Sequence, residues 1–230
     1  MNSKQYSRRQ ALLFQISAIL RKWSDRTGEG FLRELSAIVR DLEALVAEVE
    51  ESSSDRLERA RNYRYLGNAY FDLGAGRNPK WLERAVVAYT LAEALLDGVE
   101  NPAERAKLAY SHGLTLFAKS QHNDVRLVEE ARLKYAHALT LARKAMPEAV
   151  ETILKATVVA DQLIDLLRNR KHICREIDDL AKSQNEQSPS ATTGTSNAPR
   201  DALLFERLIH NLSESSQLAY GDETAGVLAL

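Results

Sequence analysis

Apolar residues along this chain recur at intervals of three and four, the spacing that lines one face of an α-helix. No stretch alternates apolar and polar residues with the period of two that a half-buried strand requires. Leu12, Leu13, Ile16, Ile19, Leu20 and Trp23 make the first stripe and predict an amphipathic helix over 5–23. That pattern reads as a packed helix, not as an export signal, although Arg8 and Arg9 precede it. A second helix is predicted over 31–49, with Gly28 and Gly30 supplying the break. Further on, Pro147 opens a long pattern through about Lys182, carried by Val150, Ile153, Leu154, Val158, Leu163, Leu166, Leu167, Ile173, Ile177 and Leu180. Residues 183–200 contain no large apolar side chain and are rich in Ser, Thr, Asn, Gln and Pro, which predicts a flexible linker. Beyond it, Asp201 is placed to cap a short helix with Leu204, Phe205, Leu208, Ile209 and Leu212 on one side.

Between these flanks the pattern repeats. Glu58, Arg59, Ala60, Gly67, Phe71, Glu83, Ala85, Tyr89, Ala92 and Leu95 recur, without a gap, as Glu104, Arg105, Ala106, Gly113, Phe117, Glu129, Ala131, Tyr135, Ala138 and Leu141. Within each copy the matches fall at helical spacing in two groups, so the repeated unit is a pair of helices. Gly67 and Gly113 sit inside helices, where glycine costs about 1 kcal/mol relative to alanine, and this predicts that another backbone comes close at each. Ala85 and Ala131 are expected to present the complementary small surface, with Tyr89 and Tyr135 one turn later filling the space between units.

Tyr63, Leu66, Gly67, Tyr70, Ala85, Tyr89 and Ala92 resemble the pattern of the tetratricopeptide repeat (TPR), an aromatic followed by Leu-Gly and Tyr on the first helix and Ala, aromatic, Ala on the second. The unit is longer than that of the family, with the additional residues in "GAGRNP", "SQHNDV" and around "DGVENP". Long repeats of this kind resemble those beside caspase-like CHAT protease domains in bacterial multidomain proteins. In the second copy His112 and Leu116 replace the Leu and the Tyr of the pattern. The resemblance implies an all-α fold, a right-handed superhelical array of antiparallel helix hairpins. The segment 1–182 forms this domain with the long helix as its cap, followed by the linker at 183–200 and the short helix and tail at 201–230.

Composition narrows the chemistry. The net charge of −1 gives no global attraction to nucleic acid or to acidic membranes, and no apolar run is long enough to cross a bilayer. Charge is segregated locally: residues 1–28 are mostly basic and 29–55 mostly acidic, so the first two helices should attract each other. A single cysteine, Cys174, excludes an intramolecular disulfide and suits a reducing, cytoplasmic setting. It reads as a free thiol, buried or partly so, because His172 two positions away points elsewhere on a helix. The five histidines lie far apart and none shows metal-ligand spacing, so no metal, cofactor or catalytic residue is expected. "LGAGRNP" lacks the lysine of a phosphate loop and reads as a helix C-terminal turn, with Gly74 or Gly76 left-handed. The basic run 168–175 reads as a solvated or partner-facing helix side.

The expected function is that of a non-catalytic adaptor or scaffold that binds a peptide or a partner helix in a concave groove. In peptide-binding members of the resembled family, a basic residue and an asparagine one turn apart on a first helix hold a terminal carboxylate, and Arg64 with Asn68 resembles that pair. The groove is therefore expected to comprise Arg61, Arg64, Asn68, Phe71, Lys107, Tyr110, Leu114 and Phe117, and to prefer an acidic or C-terminal peptide. The same arginines have a second reading, as surface partners of Glu58, Asp72 or Glu104. A regulatory subunit of a bacterial protease or defence assembly is the alternative function, and an RNA-binding helical repeat a third. Self-association through the 201–212 helix is a further expectation.

Overall fold

The structure, a computed structural model, describes residues 3–22, 28–74, 78–121 and 123–185. Gly76, Trp23, the helix expected at 201–212 and the expected linker beyond Asn185 lie outside the described residues. Among those described, the chain is all-α, with seven helices that pack as sequential antiparallel neighbours. They are α1 (Ser3–Lys22), α2 (Glu29–Ser52), α3 (Arg56–Gly74), α4 (Pro79–Leu96), α5 (Pro102–Lys119), α6 (Val125–Ala145) and α7 (Val150–Asn185), the last preceded by a 3-10 turn at Pro147–Ala149. The expected break at 28–30 narrows to Gly28, since α2 begins at Glu29. At the other end, α7 continues to Asn185 and takes in the first residues of the expected linker.

Short polar side chains start the helices of the two repeats at equivalent positions. Asp55 and Asn101 accept the backbone N–H of Glu58 at 3.2 Å and of Glu104 at 2.9 Å, closing the first turns of α3 and α5. Asn78 and Asp124 accept from Lys80 at 3.1 Å and from Arg126 at 3.0 Å, doing the same for α4 and α6. Pro79 and Pro102 stand in the first turn, where a missing N–H costs nothing.

Each hairpin closes on a ring seated over a glycine. A Cβ built on Gly67 would lie 2.5 Å from Cε1 of Tyr89, and one on Gly113 would lie 2.6 Å from Cε1 of Tyr135. The neighbour expected at these glycines was backbone, and this is corrected: at Gly67 it is the Tyr89 ring, from the second helix of the same hairpin. At Gly113 the Ala131 carbonyl oxygen also lies close, 3.2 Å from the Cβ position. Both tyrosines are 1% exposed and both alanines, Ala85 and Ala131, are fully buried. The Tyr89 hydroxyl donates to Asn68 Oδ1 at 2.8 Å, which fixes the ring in place. Gly74 is the last residue of α3 and is not left-handed; among the described residues that conformation belongs to Gly98 (φ 72°) and Gln121 (φ 45°). Glycine suits position 74 for a different reason, since a Cβ there would come within 2.9 Å of the Leu82 backbone nitrogen.

The helices group into two buried apolar clusters. One joins Leu12, Leu13, Ile16 and Ile19 of α1 to Phe31, Leu35, Val39, Leu42 and Leu45 of α2 and continues into α3 and α4. The other joins α5 and α6 to Ile153, Ala156, Ala160 and Ile164 of α7, and half-buried Phe71 packs against both. The complementary charges of α1 and α2 meet as Arg8–Glu48 at 3.2 Å and Lys22–Glu34 at 2.8 Å. Such exposed pairs contribute only about 0.2–1 kcal/mol each, so the apolar contact holds this hairpin together. On α7 the pattern reading is corrected in part, because Leu154, Val158 and Leu166 are exposed. Ala156 and Ala160 let α7 lie close on α6 along a narrow stripe, and no described helix follows to cover its other side.

Candidate functional site

The residues expected to line a groove converge on α3 and α5, but they do not form an open surface. Arg64, Asn68, Tyr110, Leu114 and Phe117 are buried, while Arg61, Phe71 and Lys107 are half-buried. Both helices are enclosed along most of their length, as α5 shows from Leu108 through Phe117. A ligand approaching them meets Arg61, Phe71 and Lys107 alone among the eight. The carboxylate beside Arg64 belongs to the chain itself: Arg64 Nε donates to Glu104 Oε1 at 2.5 Å, and the guanidinium lies 4.4 Å from the Tyr65 ring centre. Asn68 uses its carbonyl oxygen on Tyr89. The pair that resembles a terminal-carboxylate clamp is thus engaged internally, as the surface-pairing reading anticipated for Glu104, though at a buried site.

These contacts extend into a ladder of alternating charge across the first helices of successive hairpins. Arg9 of α1, only 1% exposed, donates to Glu58 Oε2 at 2.6 Å and to Asn62 Oδ1 at 3.1 Å. Arg61 donates to Glu58 Oε1 at 2.7 Å, and its Nε stands 3.6 Å from Glu104 Oε2. Glu58 and Glu104 occupy equivalent positions, each in the first turn of its helix and each turned toward an arginine of the preceding first helix. Burial alone would raise the Glu104 carboxyl, but the Arg64 guanidinium, with Arg61 and Lys107 beyond it, holds it below its ordinary value. A second cluster ties α4, α5 and α6 together, where Glu93 accepts from Lys134 Nζ at 2.6 Å and lies 3.0 Å from Nδ1 of buried His112. Glu93 too is held low: burial pushes it up, and the hydrogen bonds from His112 and Lys134 outweigh that. Both arrangements join neighbouring helices. Neither places a nucleophile beside a base in an accessible pocket, which acid–base or nucleophilic catalysis would require.

Among the described residues an accessible concavity lies elsewhere, between the second helices α2 and α4. It is a cleft of about 380 Å³ lined by Arg33, Val39, Arg40 and Glu43 of α2 and by Trp81 and Arg84 of α4. The Trp81 ring that lines it stacks on Tyr70 of α3, with ring centres 5.6 Å apart. Tyr70 donates its hydroxyl to Glu43 Oε1 at 2.6 Å; burial, followed by that hydrogen bond, pushes the phenol upward, so it remains a donor. Arg84 lies 5.1 Å from the Trp81 ring centre and 5.2 Å from that of Tyr70, and donates to Glu43 at 3.3 Å. Arg33 and Arg40 are exposed and pair with no carboxylate among the described residues. The pattern reading missed this cleft. Its signal was present, since Arg33 and Arg40 are the only cations of α2 and stand seven residues apart, hence on one face.

Among the described residues no group of three or more His, Cys, Asp or Glu could hold a metal ion, and no helix is long and apolar enough to cross a membrane. Within the basic run, Arg168 pairs with Glu129 of α6 at 2.6 Å, while Arg170, Lys171 and Arg175 are exposed. Cys174 is exposed on α7, which corrects the expectation of a buried or partly buried thiol. A maleimide or aromatic disulfide reagent is therefore expected to label one thiol per chain in the native protein at the rate seen in denaturant. Protection in the native state would place α7 against something that covers this face. No protein family, curated protein or solved structure matches the chain.

Proposed function

We propose that this chain is a non-catalytic protein-binding scaffold, a TPR-like right-handed array of helical hairpins closed by α7. The observation that carries the reading is the recurrence of one joint at successive hairpins. The caps Asp55 and Asn101, the ring-over-glycine seats at Gly67 and Gly113, and the arginine-paired Glu58 and Glu104 are the same device used twice. A repeated joint lets short helical pairs, each unable to bury its own core, stack into an extended body whose second helices face outward. Such a body offers surface to another protein, and its buried Arg9, Arg64 and Glu104 are engaged in joining the hairpins. The outward faces of α2, α4, α6 and α7 are accordingly the surface assigned to partners. Arg61, Phe71 and Lys107 remain as the reachable part of the first-helix groove. The test is affinity capture on the immobilised full chain from a native lysate, with mass spectrometry of what is retained and reciprocal capture by each retained protein. Reproducible, reciprocal retention of a protein partner supports the scaffold reading. A lysate that yields none, or an isolated chain that turns over a substrate, would overturn it.

A further inference from the structure

We infer that the cleft between α2 and α4 docks an acidic peptide segment of a partner protein, with two carboxylates about two helical turns apart flanking an apolar side chain. The inference rests on the scaffold reading and adds to it the surface and the chemistry of the occupant. α2 is an acidic helix whose only cations, Arg33 and Arg40, both line this cleft. Seven residues apart on one helix, they lie about 10 Å apart along its axis, so their planar forks are spaced for two carboxylates two turns apart on a bound segment. Half-buried Ser36 lies between them on α2, and the half-buried Trp81 ring of α4 faces the same cleft as an apolar seat for one side chain. Across from them Arg84 is held by the Trp81 and Tyr70 rings and by Glu43, so the wall is ordered before a ligand arrives.

The charge balance separates this occupant from a nucleic acid. A phosphate backbone would run along α2 past Glu29, Glu34, Asp41, Glu48, Glu50 and Glu51 and would meet the Glu43 carboxylate inside the cleft, under a net chain charge of −1. A peptide with two local acids satisfies Arg33 and Arg40 and stays off the rest of α2, while Glu43 inside the cleft is already engaged by Tyr70 and Arg84.

The proposal is tested by selecting a random dodecapeptide phage library on the full chain and, in parallel, on the Arg33→Glu/Arg40→Glu variant. Both arginines are exposed and unpaired, so thermal melts of the variant should match the native protein; Arg33→Gln/Arg40→Gln serves if the charge reversal disturbs folding. The expected result is enrichment of sequences with paired Asp or Glu around an apolar residue on the native chain, lost on the variant. In a Trp23→Phe background Trp81 is the sole tryptophan, and the selected peptide should change its fluorescence. Replacing both peptide acids by their amides, or both arginines by glutamine, should weaken binding about tenfold or more. Enrichment that persists equally on both proteins would overturn the cleft assignment while leaving the scaffold reading standing. Failure to select any peptide, together with an empty lysate capture, would remove both. Arginine-dependent binding of a single-stranded oligonucleotide in preference to the acidic peptides would overturn the choice of occupant.

Discussion

Gly67→Ala is expected to destabilise the protein, against the usual gain from placing alanine in a helix, and Gly67→Leu to destabilise it further. Alanine's helix propensity favours it by about 1 kcal/mol at an interior position. Opposing this, the new Cβ would stand 2.5 Å from Tyr89 Cε1, a separation that cannot persist. The ring has no room to retreat: it is 1% exposed, and its hydroxyl is tied to Asn68. Overpacking of this kind costs about 1–3 kcal/mol, more for the longer side chain. For a chain of this size each kcal/mol lowers the melting temperature by about 2–4 °C. Gly113→Ala should behave alike, because Tyr135 and the Ala131 carbonyl oxygen bound the same space. Thermal melts of the two alanine variants decide the matter, and an unchanged or raised midpoint in either would show that the seat is not tight. Coupling gives the sharper reading: Tyr89→Leu should cost less in a Gly67→Ala background than in the native chain, since it removes the atoms in conflict.

How much of this was legible in the sequence depends on whether a residue acts locally. Helical period is local, and it placed the helices expected at 5–23, 31–49 and from Pro147 to about 182 within a few residues of where they lie, and read each repeat as a helix pair. The repeat also pointed to Gly67 and Gly113 as contact points, but the identity of the neighbour depends on how two helices of a hairpin lie together, and spacing alone does not report that. The caps were readable and were passed over: Asp55 and Asn101 each stand three residues before a glutamate, at matching places in the repeat. Arg9, Asn62, Arg64 and Glu104 could not be read as buried from pattern. A polar residue on a stripe counts as surface until its partner is known, and Arg9 finds Glu58, and Arg64 finds Glu104, only after three helices have packed. The cleft is the same case in reverse, because Trp81 and Arg33 belong to different hairpins and meet only in the folded chain.

The second large effect is expected at Glu104. Converting it to glutamine removes the Glu104 carboxylate from the Arg64 guanidinium, which is 2% exposed. Breaking a buried ion pair costs up to about 3–5 kcal/mol, a large share of the roughly 5–15 kcal/mol that holds a domain folded. Removing Glu34 from its exposed pair with Lys22 should cost no more than about 1 kcal/mol, which provides the contrast. The charge also carries a pH signature. Because the folded Glu104 carboxyl is held below the ordinary value of 4.5, its contribution is fully present above that pH and is lost as the pH falls through the lowered value. Glu93 loses its contribution in the same direction, but equally in native and variant proteins, so the difference between their stability curves isolates Glu104. Denaturant melts at neutral pH and at steps below 4.5 should therefore converge for native and Glu104→Gln proteins as acid is added. Arg64→Met combined with Glu104→Leu should recover most of the loss, since replacing a buried pair by apolar side chains of similar size is often neutral or stabilising. A double variant as unstable as Glu104→Gln would mean that Arg64 serves the hairpin joint through its stacking on Tyr65 and not through its charge.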